Sequence, residues 1–208
     1  MFSSIQKYFP SLTHTQQQQF VALGDLYHFW NEKINVVSRK DIENIYTHHI
    51  LHSLSIGLAL RMKPATRILD AGTGGGLPGI PLAILFPDVS FTLIDSVGKK
   101  IRVVTEIGKE LNLSNIQPRQ IRLESMTGNY HFVTGRAVTD LLRFYQMARK
   151  KIAPEHLNDR KNGILYLSGG DIENQLNKIN PEASVTPLSD FFTEPYFSSK
   201  KLIYIPVC

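Results

Sequence analysis

The sequence predicts an α/β protein: a mostly parallel, twisted sheet with helices on both faces, preceded by a helical amino-terminal cap. Three observations carry this. From Thr66 onward, short apolar runs alternate with segments of helical period, the pattern of βα units wound into one sheet. Before that point the apolar residues from Phe20 to Ile34 recur at alternating steps of three and four, the spacing of a helix. The first apolar run then ends in a turn, "LDAGTGGGLPGIP" (residues 69–81), rich in glycine where an open α/β sheet forms its ligand crevice. The expected division is a cap over residues 1–63 and a sheet domain over 64–208.

The elements follow in order. Phe20, Leu23, Tyr27, Trp30 and Ile34 mark one face of a first helix, with Thr13 or Thr15 as its cap and Trp30 read as core. The "QQQQ" run at 16–19 suits an exposed helix start. A second helix is expected over about residues 41–62, with Ile42, Ile45, Ile50, Leu54 and Leu58 facing inward and Pro64 supplying the break. "RILDA" predicts a short buried strand, followed by the glycine turn and an apolar helix to Phe86. "VSFTLID" alternates as a second strand, and "GKKIRVVTEIGKELNL" reads as a helix. "NIQPRQIRL" and "YHFVTGRA" supply two more strands, then a helix over 141–152 and a fifth strand over 162–170. A helix over 172–179 and a late strand in "KKLIYIPV" complete the list.

Composition narrows the function classes. The chain has 208 residues and is 42% hydrophobic, enough for one domain of about 150 residues and an appendage. A net charge of +5 permits an anionic partner without demanding one. The single cysteine, Cys208, excludes a disulfide framework and a cysteine-based zinc site. No apolar run approaches ~18 residues, and the first residues lack a secretory signal. The expectation is a soluble, cytoplasmic protein with no membrane partner.

Asp70, Gly72, Gly74 and Gly76 form D-x-G-x-G-x-G directly after a buried strand. Glycines there adopt positive φ and let the backbone approach a ligand. The overlapping G-x-G-x-x-G of Gly74, Gly76 and Gly79 is a weaker signal, and no Lys-Ser or Lys-Thr follows to make a phosphate-binding Walker loop. Asp95 stands 25 positions after Asp70, at the end of the second strand, where an acid can accept from both hydroxyls of a ribose. A nicotinamide cofactor and S-adenosylmethionine both fit that half. Asp70 at the entrance favours a ligand bearing an ammonium and a sulfonium over one bearing a pyrophosphate.

Other clusters admit two readings. Lys99, Lys100 and Arg102 adjoin the turn, while Arg143, Arg149, Lys150, Lys151, Arg160 and Lys161 follow later. Such clusters bind phosphates or simply solvate helix faces. His48, His49 and His52 share a helix side, yet no further ligand type stands nearby, which favours packing over a metal.

The stretches "DAGTGGGLPGIPLAI", "TLIDSVGKKIR", "IRLES" and "GRA", with "WNEKINVVS" and "HHILHS" upstream, resemble the bacterial RsmG/GidB family. The likeness runs from about Trp30 to Ala137. It implies a Rossmann-like class I methyltransferase fold that moves a methyl group from S-adenosylmethionine to N7 of a guanine in 16S ribosomal RNA. The partner is that RNA or the small ribosomal subunit, and no metal is needed. The resemblance places Gly72, Gly74 and Leu77 on the methionine and ribose side, with Asp95 and Ser96 at the ribose. Leu123 and Glu124 would flank the adenine, and Arg136 would sit at the active-site floor as a catalytic and cofactor-binding residue, anchoring a phosphate or the cofactor carboxylate. Asn35, His49, Lys99, Lys100 and Arg102 become substrate-side candidates. The chain departs from the family pattern at Val37, at His52 (where an aspartate is usual) and at Ser168 (where a lysine is usual). Guanine N7 carries a free lone pair, so the reaction requires no general base. Methyl transfer to another substrate, and a cofactor-binding assembly factor without turnover, are the competing readings.

Overall fold

The computed structural model describes residues 2–170, 176, 179–180 and 182–207. Its sheet has seven strands: β1 (Arg67–Ala71), β2 (Ser90–Asp95), β3 (Ile116–Gln120), β4 (Phe132–Arg136), β5 (Gly163–Gly169), β6 (Ser184–Pro187) and β7 (Lys200–Pro206). The order is β3-β2-β1-β4-β5-β7-β6. Strands β1 to β5 run parallel, and β7 lies antiparallel between β5 and β6. The order reverses beside β1, so the carboxyl ends of β1, β2 and β4 splay apart into a crevice.

The helices are α1 (Ser3–Tyr8), α2 (His14–Lys33), α3 (His52–Ala59), α4 (Gly79–Leu85), α5 (Gly98–Glu110) and α6 (Leu141–Ala148). Period-2 alternation sends Ile68, Phe91, Leu93, Phe132 and Leu165 to one face and Leu69, Ile94, Val133, Ile164 and Tyr166 to the other. The first face shares one buried core with Ile5, Phe20, Leu23, Tyr27, Ile45, Ile50 and Leu54 from the amino-terminal helices. The second packs on Leu141, Phe144 and Ala148 of α6.

Several expectations are revised. Thr13 is the cap of α2, and the Gln16 side chain returns the bond to the Thr13 backbone. The glutamine run is not merely exposed: Gln16 Nε2 donates to the Ile84 and Leu85 carbonyls, and Gln19 Nε2 to that of Leu111. Trp30 is only partly buried, and Phe29 beside it is 49% exposed under the Lys33 ammonium. The second helix is not one regular helix. A 3-10 turn (Ile42–Asn44) leads into a π-helical turn (Ile45–Leu51), and only α3 is α-helical. Leu58, expected inside, is 37% exposed. The helix over 141–152 is α-helical only through Ala148, with a 3-10 turn (Arg149–Lys151) after it. Strand β6 was not anticipated. The helix expected over 172–179 falls mostly outside the described residues, as does Cys208. The link from β3 to β4, residues 121–131, contains no α-helix but one 3-10 turn, Leu123–Ser125. No helix among the described residues is long and apolar enough to cross a membrane.

Candidate functional site

Strand β1 leaves the sheet at Ala71, and the loop folds back at once because the Gly72 and Thr73 amides both donate to the Ile94 carbonyl, at 2.9 Å each. Gly72, Gly74 and Gly76 take φ of 71°, 58° and 98°, the left-handed region that favours glycine. A Cβ at Gly72 would lie 2.7 Å from the Val138 side chain, while one at Gly74 would meet nothing within 4 Å. Gly74 therefore presents bare backbone to open space. Beneath the loop, the buried Tyr27 hydroxyl donates to the Gly75 carbonyl at 3.0 Å, tying α2 to the turn.

The crevice is a cavity of about 510 Å³ whose lining includes Gly72, Gly74, Leu77, Asp95, Ser96, Lys100, Leu123, Glu124 and Arg136. These nine were all singled out from the sequence. Asp95 is 9% exposed; it accepts from the Gly74 amide at 3.0 Å and the Val97 amide at 2.8 Å. Each of its oxygens keeps a lone pair for another donor. Leu123 and Glu124 sit in the 3-10 turn after β3 rather than on the strand. Arg122, Arg143 and Val36 also line the cavity. Arg122 lies inside the quoted "IRLES" and Arg143 in a basic cluster, but only the fold shows that both face this mouth.

Asp70 requires a correction. The sequence pattern sets it facing a cationic ligand, but in the fold it is fully buried below the loop. One oxygen accepts from Thr73 Oγ1 at 2.5 Å and the Gly79 amide at 2.9 Å, and the other from Thr134 Oγ1 at 3.2 Å. Burial raises its pKa to about 6, against the pull of these hydrogen bonds. The carboxylate organises the turn and does not line the cavity.

Arg136, at the end of β4, is met by the π-helical turn. Its Nη1 lies 3.1 Å from His49 Nδ1, and His49 Nε2 lies 2.8 Å from Asp41 Oδ2. Burial, then the neighbouring Arg136, lower the His49 pKa to about 4. The ring is therefore neutral at physiological pH, with Nε2–H donating to Asp41 and Nδ1 accepting from the guanidinium. Burial works against the Asp41 charge, but its bonds to His48 and His49 outweigh that and hold it below the usual range. His48 Nδ1 lies 2.6 Å from the other Asp41 oxygen, and its ring stacks on Tyr196 at 3.8 Å. His49 thus steadies Arg136 and is not among the residues lining the cavity.

The remaining candidates lie outside the cavity. Lys99 and Arg102 are exposed on α5, and the exposed Asn35 accepts from Arg39. His52 is 5% exposed, has neither ring nitrogen hydrogen-bonded, and meets Tyr196 and Phe197 edge-on. Among the described residues, no group of three or more histidine, cysteine, aspartate or glutamate side chains is placed to hold a metal ion.

The solved structures similar to this chain share its fold at low identity. The fibrillarin/Nop5p complex matches with a TM-score of 0.58 at 11% identity, covering 76% of this chain and 79% of that one. A SAM-dependent methyltransferase from Aquifex aeolicus matches at 0.55 and 12%, covering 73% and 87%. Sequence likeness is far closer. The ribosomal RNA small subunit methyltransferase G of Cytophaga hutchinsonii is 51% identical over 97% of this chain and 98% of its own length. Those of Flavobacterium johnsoniae and Bacteroides thetaiotaomicron are 49% and 47% identical over similar spans. The family model described as "GidB: rRNA small subunit methyltransferase G" matches residues 16–193, well beyond the stretch that carried the resemblance. A match over that span, with relatives about half identical along nearly their whole length, means that this chain belongs to the GidB family.

Proposed function

We propose that the protein transfers a methyl group from S-adenosylmethionine to N7 of a guanine in 16S ribosomal RNA, acting in the cytoplasm where that RNA is assembled. One observation carries the reading: a single cavity at the switch point joins the bare Gly74 backbone and the Asp95 carboxylate to a mouth carrying Lys100, Arg122, Arg136 and Arg143.

The residues present fit the cofactor. Asp95 has acceptor capacity left for ribose hydroxyls, Ser96 stands beside it, and the Leu123 side chain offers an apolar wall for an adenine. When bound, S-adenosylmethionine supplies an electrophilic methyl on a sulfonium. The chain's own part is alignment, which suits a nucleophile whose lone pair is already free. Arg136 commits one donor to His49 and keeps the rest of its fork. A guanidinium that donated to N7 would block the reaction, so its productive contact is the guanine O6 or a phosphate. The neutral His49 adds no further positive charge behind Arg136 at a site where the base becomes cationic on methylation.

The test is transfer of labelled methyl to small ribosomal subunits from cells lacking the modification, with the product nucleosides resolved. Label in 7-methylguanosine is expected. Label in another nucleoside, or none while the cofactor binds, would overturn the substrate assignment.

A further inference from the structure

We propose that the open flank of the sheet over β2 and β3 is a docking groove for the phosphodiester backbone of the substrate RNA. The inference rests on the RNA-methylating function proposed above and adds a second contact surface to it.

The link from β3 to β4 carries no α-helix, and α6 packs over Val133, Ile164 and Tyr166. The far end of that face carries no helix, and there Arg67, Gln117 and Arg119 are exposed above the buried Thr92. Register sets Arg67 beside Ser90, Thr92 beside Gln117, and Ile94 beside Arg119. With Asn129 from the link, five of these side chains and the Ser90 hydroxyl line a groove of about 400 Å³.

A parallel sheet is normally covered on both faces and reads as a continuous apolar run. Here guanidinium, hydroxyl and amide groups take those positions. Protection of an edge against pairing accounts for Arg119, because β3 is the edge strand. It does not account for Arg67, Ser90 and Thr92, which stand on interior strands.

Both arginines are available to an anion. Arg67 Nε donates to the Asn129 carbonyl and Arg119 Nη2 to the Gln117 amide oxygen, each at 3.0 Å, and both acceptors are neutral. Every ion pair among the described residues is made by a lysine or a histidine, never by an arginine. Along β3 the groove adjoins the catalytic cavity in the chain. Ile121 and Arg122 line that cavity and follow Arg119 by two and three positions, about 7 to 10 Å at strand rise. An RNA strand leaving the cavity past Arg122 therefore meets Arg119 and then Arg67.

The experiment compares the double variant Arg67→Ala/Arg119→Ala with the unsubstituted protein in binding and methylating 16S ribosomal RNA at a series of salt concentrations. Removing two phosphate contacts should flatten the slope of log affinity against log salt by about 1.4. It should also raise the RNA KM by about tenfold. Arg67→Lys/Arg119→Lys should keep most of the slope, because the charge remains. Affinity for S-adenosylmethionine, unchanged across variants, checks the fold. A control pair, Lys33→Ala/Lys109→Ala, removes the same charge from helices on the opposite face. An unaltered slope and KM in the arginine double variant, or an equal loss in the control, overturns the groove and leaves the proposed function standing. Failure of the unsubstituted protein to bind or methylate the RNA overturns both.

Discussion

Asp70 and Asp95 are both aspartates at the carboxyl ends of adjacent strands, yet they do opposite work. Asp95 turns to the cavity and accepts from two amides, with capacity to spare. Asp70 turns inward, and its oxygens are taken by Thr73, Gly79 and Thr134. Asp70→Ala would leave the Thr73 hydroxyl and the Gly79 amide without their acceptor. Leaving them unsatisfied should cost about 1–3 kcal/mol of unfolding free energy, measurable by urea denaturation at pH 7. A variant as stable as the parent would show that the carboxylate does not organise the loop. The residue pattern marked both acids as significant but set both of them toward the ligand. The division of their roles depends on Thr134, 64 positions away on a neighbouring strand. The bond between His49 and Arg136 was hidden for the same reason, because only the topology brings the π-helical turn against the end of β4.

Among the elements, β1 and β5 were legible because each is a short apolar run closed by glycine, and α2 because its apolar residues recur at steps of three and four. The segment after Asn44 misled because its apolar spacing resembles an ordinary helix, while the backbone opens into a wider turn there. Such turns recur at functional sites, and this one seats His48 and His49 on Asp41 together. Strand β6 escaped notice because "SVTP" is four residues long, ends in proline and is largely exposed. His52 follows the wide turn with both nitrogens unpartnered; burial, then Arg136 and Lys200, lower its pKa to about 3. A folded-state value below the unfolded one gives stability that is whole above the unfolded pKa and is lost as pH falls below about 6.5. At pH 5 that loss is about 2 kcal/mol. His52→Phe keeps an aromatic ring against Tyr196 and Phe197 without titrating. Its advantage over the parent should therefore widen by about 2 kcal/mol between pH 7 and pH 5. Denaturant melts at the two values decide this, and a constant difference would refute it.

At the scale of the whole molecule, the amino-terminal helices and the sheet share a buried core rather than meeting at a thin seam. The cap of residues 1–63 is accordingly proposed as a part of the fold that unfolds with the rest. Trp30, the single tryptophan, lies on α2 and reports on the cap, while far-ultraviolet circular dichroism reports on all the helices and the sheet. The two signals should give one coincident thermal transition. A separate, earlier loss of the Trp30 signal would mean that the cap melts independently.

The strand order has a consequence for how the protein is made. Strand β5 completes its pairing with β7, which begins 31 positions after β5 ends and is the last of the seven to leave the ribosome. During that interval β5 is an open edge carrying Ile164, Leu165, Tyr166 and Leu167. A nascent chain stalled before Lys200 would therefore display an adhesive apolar strand, a surface for chaperones to shield and for its own copies to join.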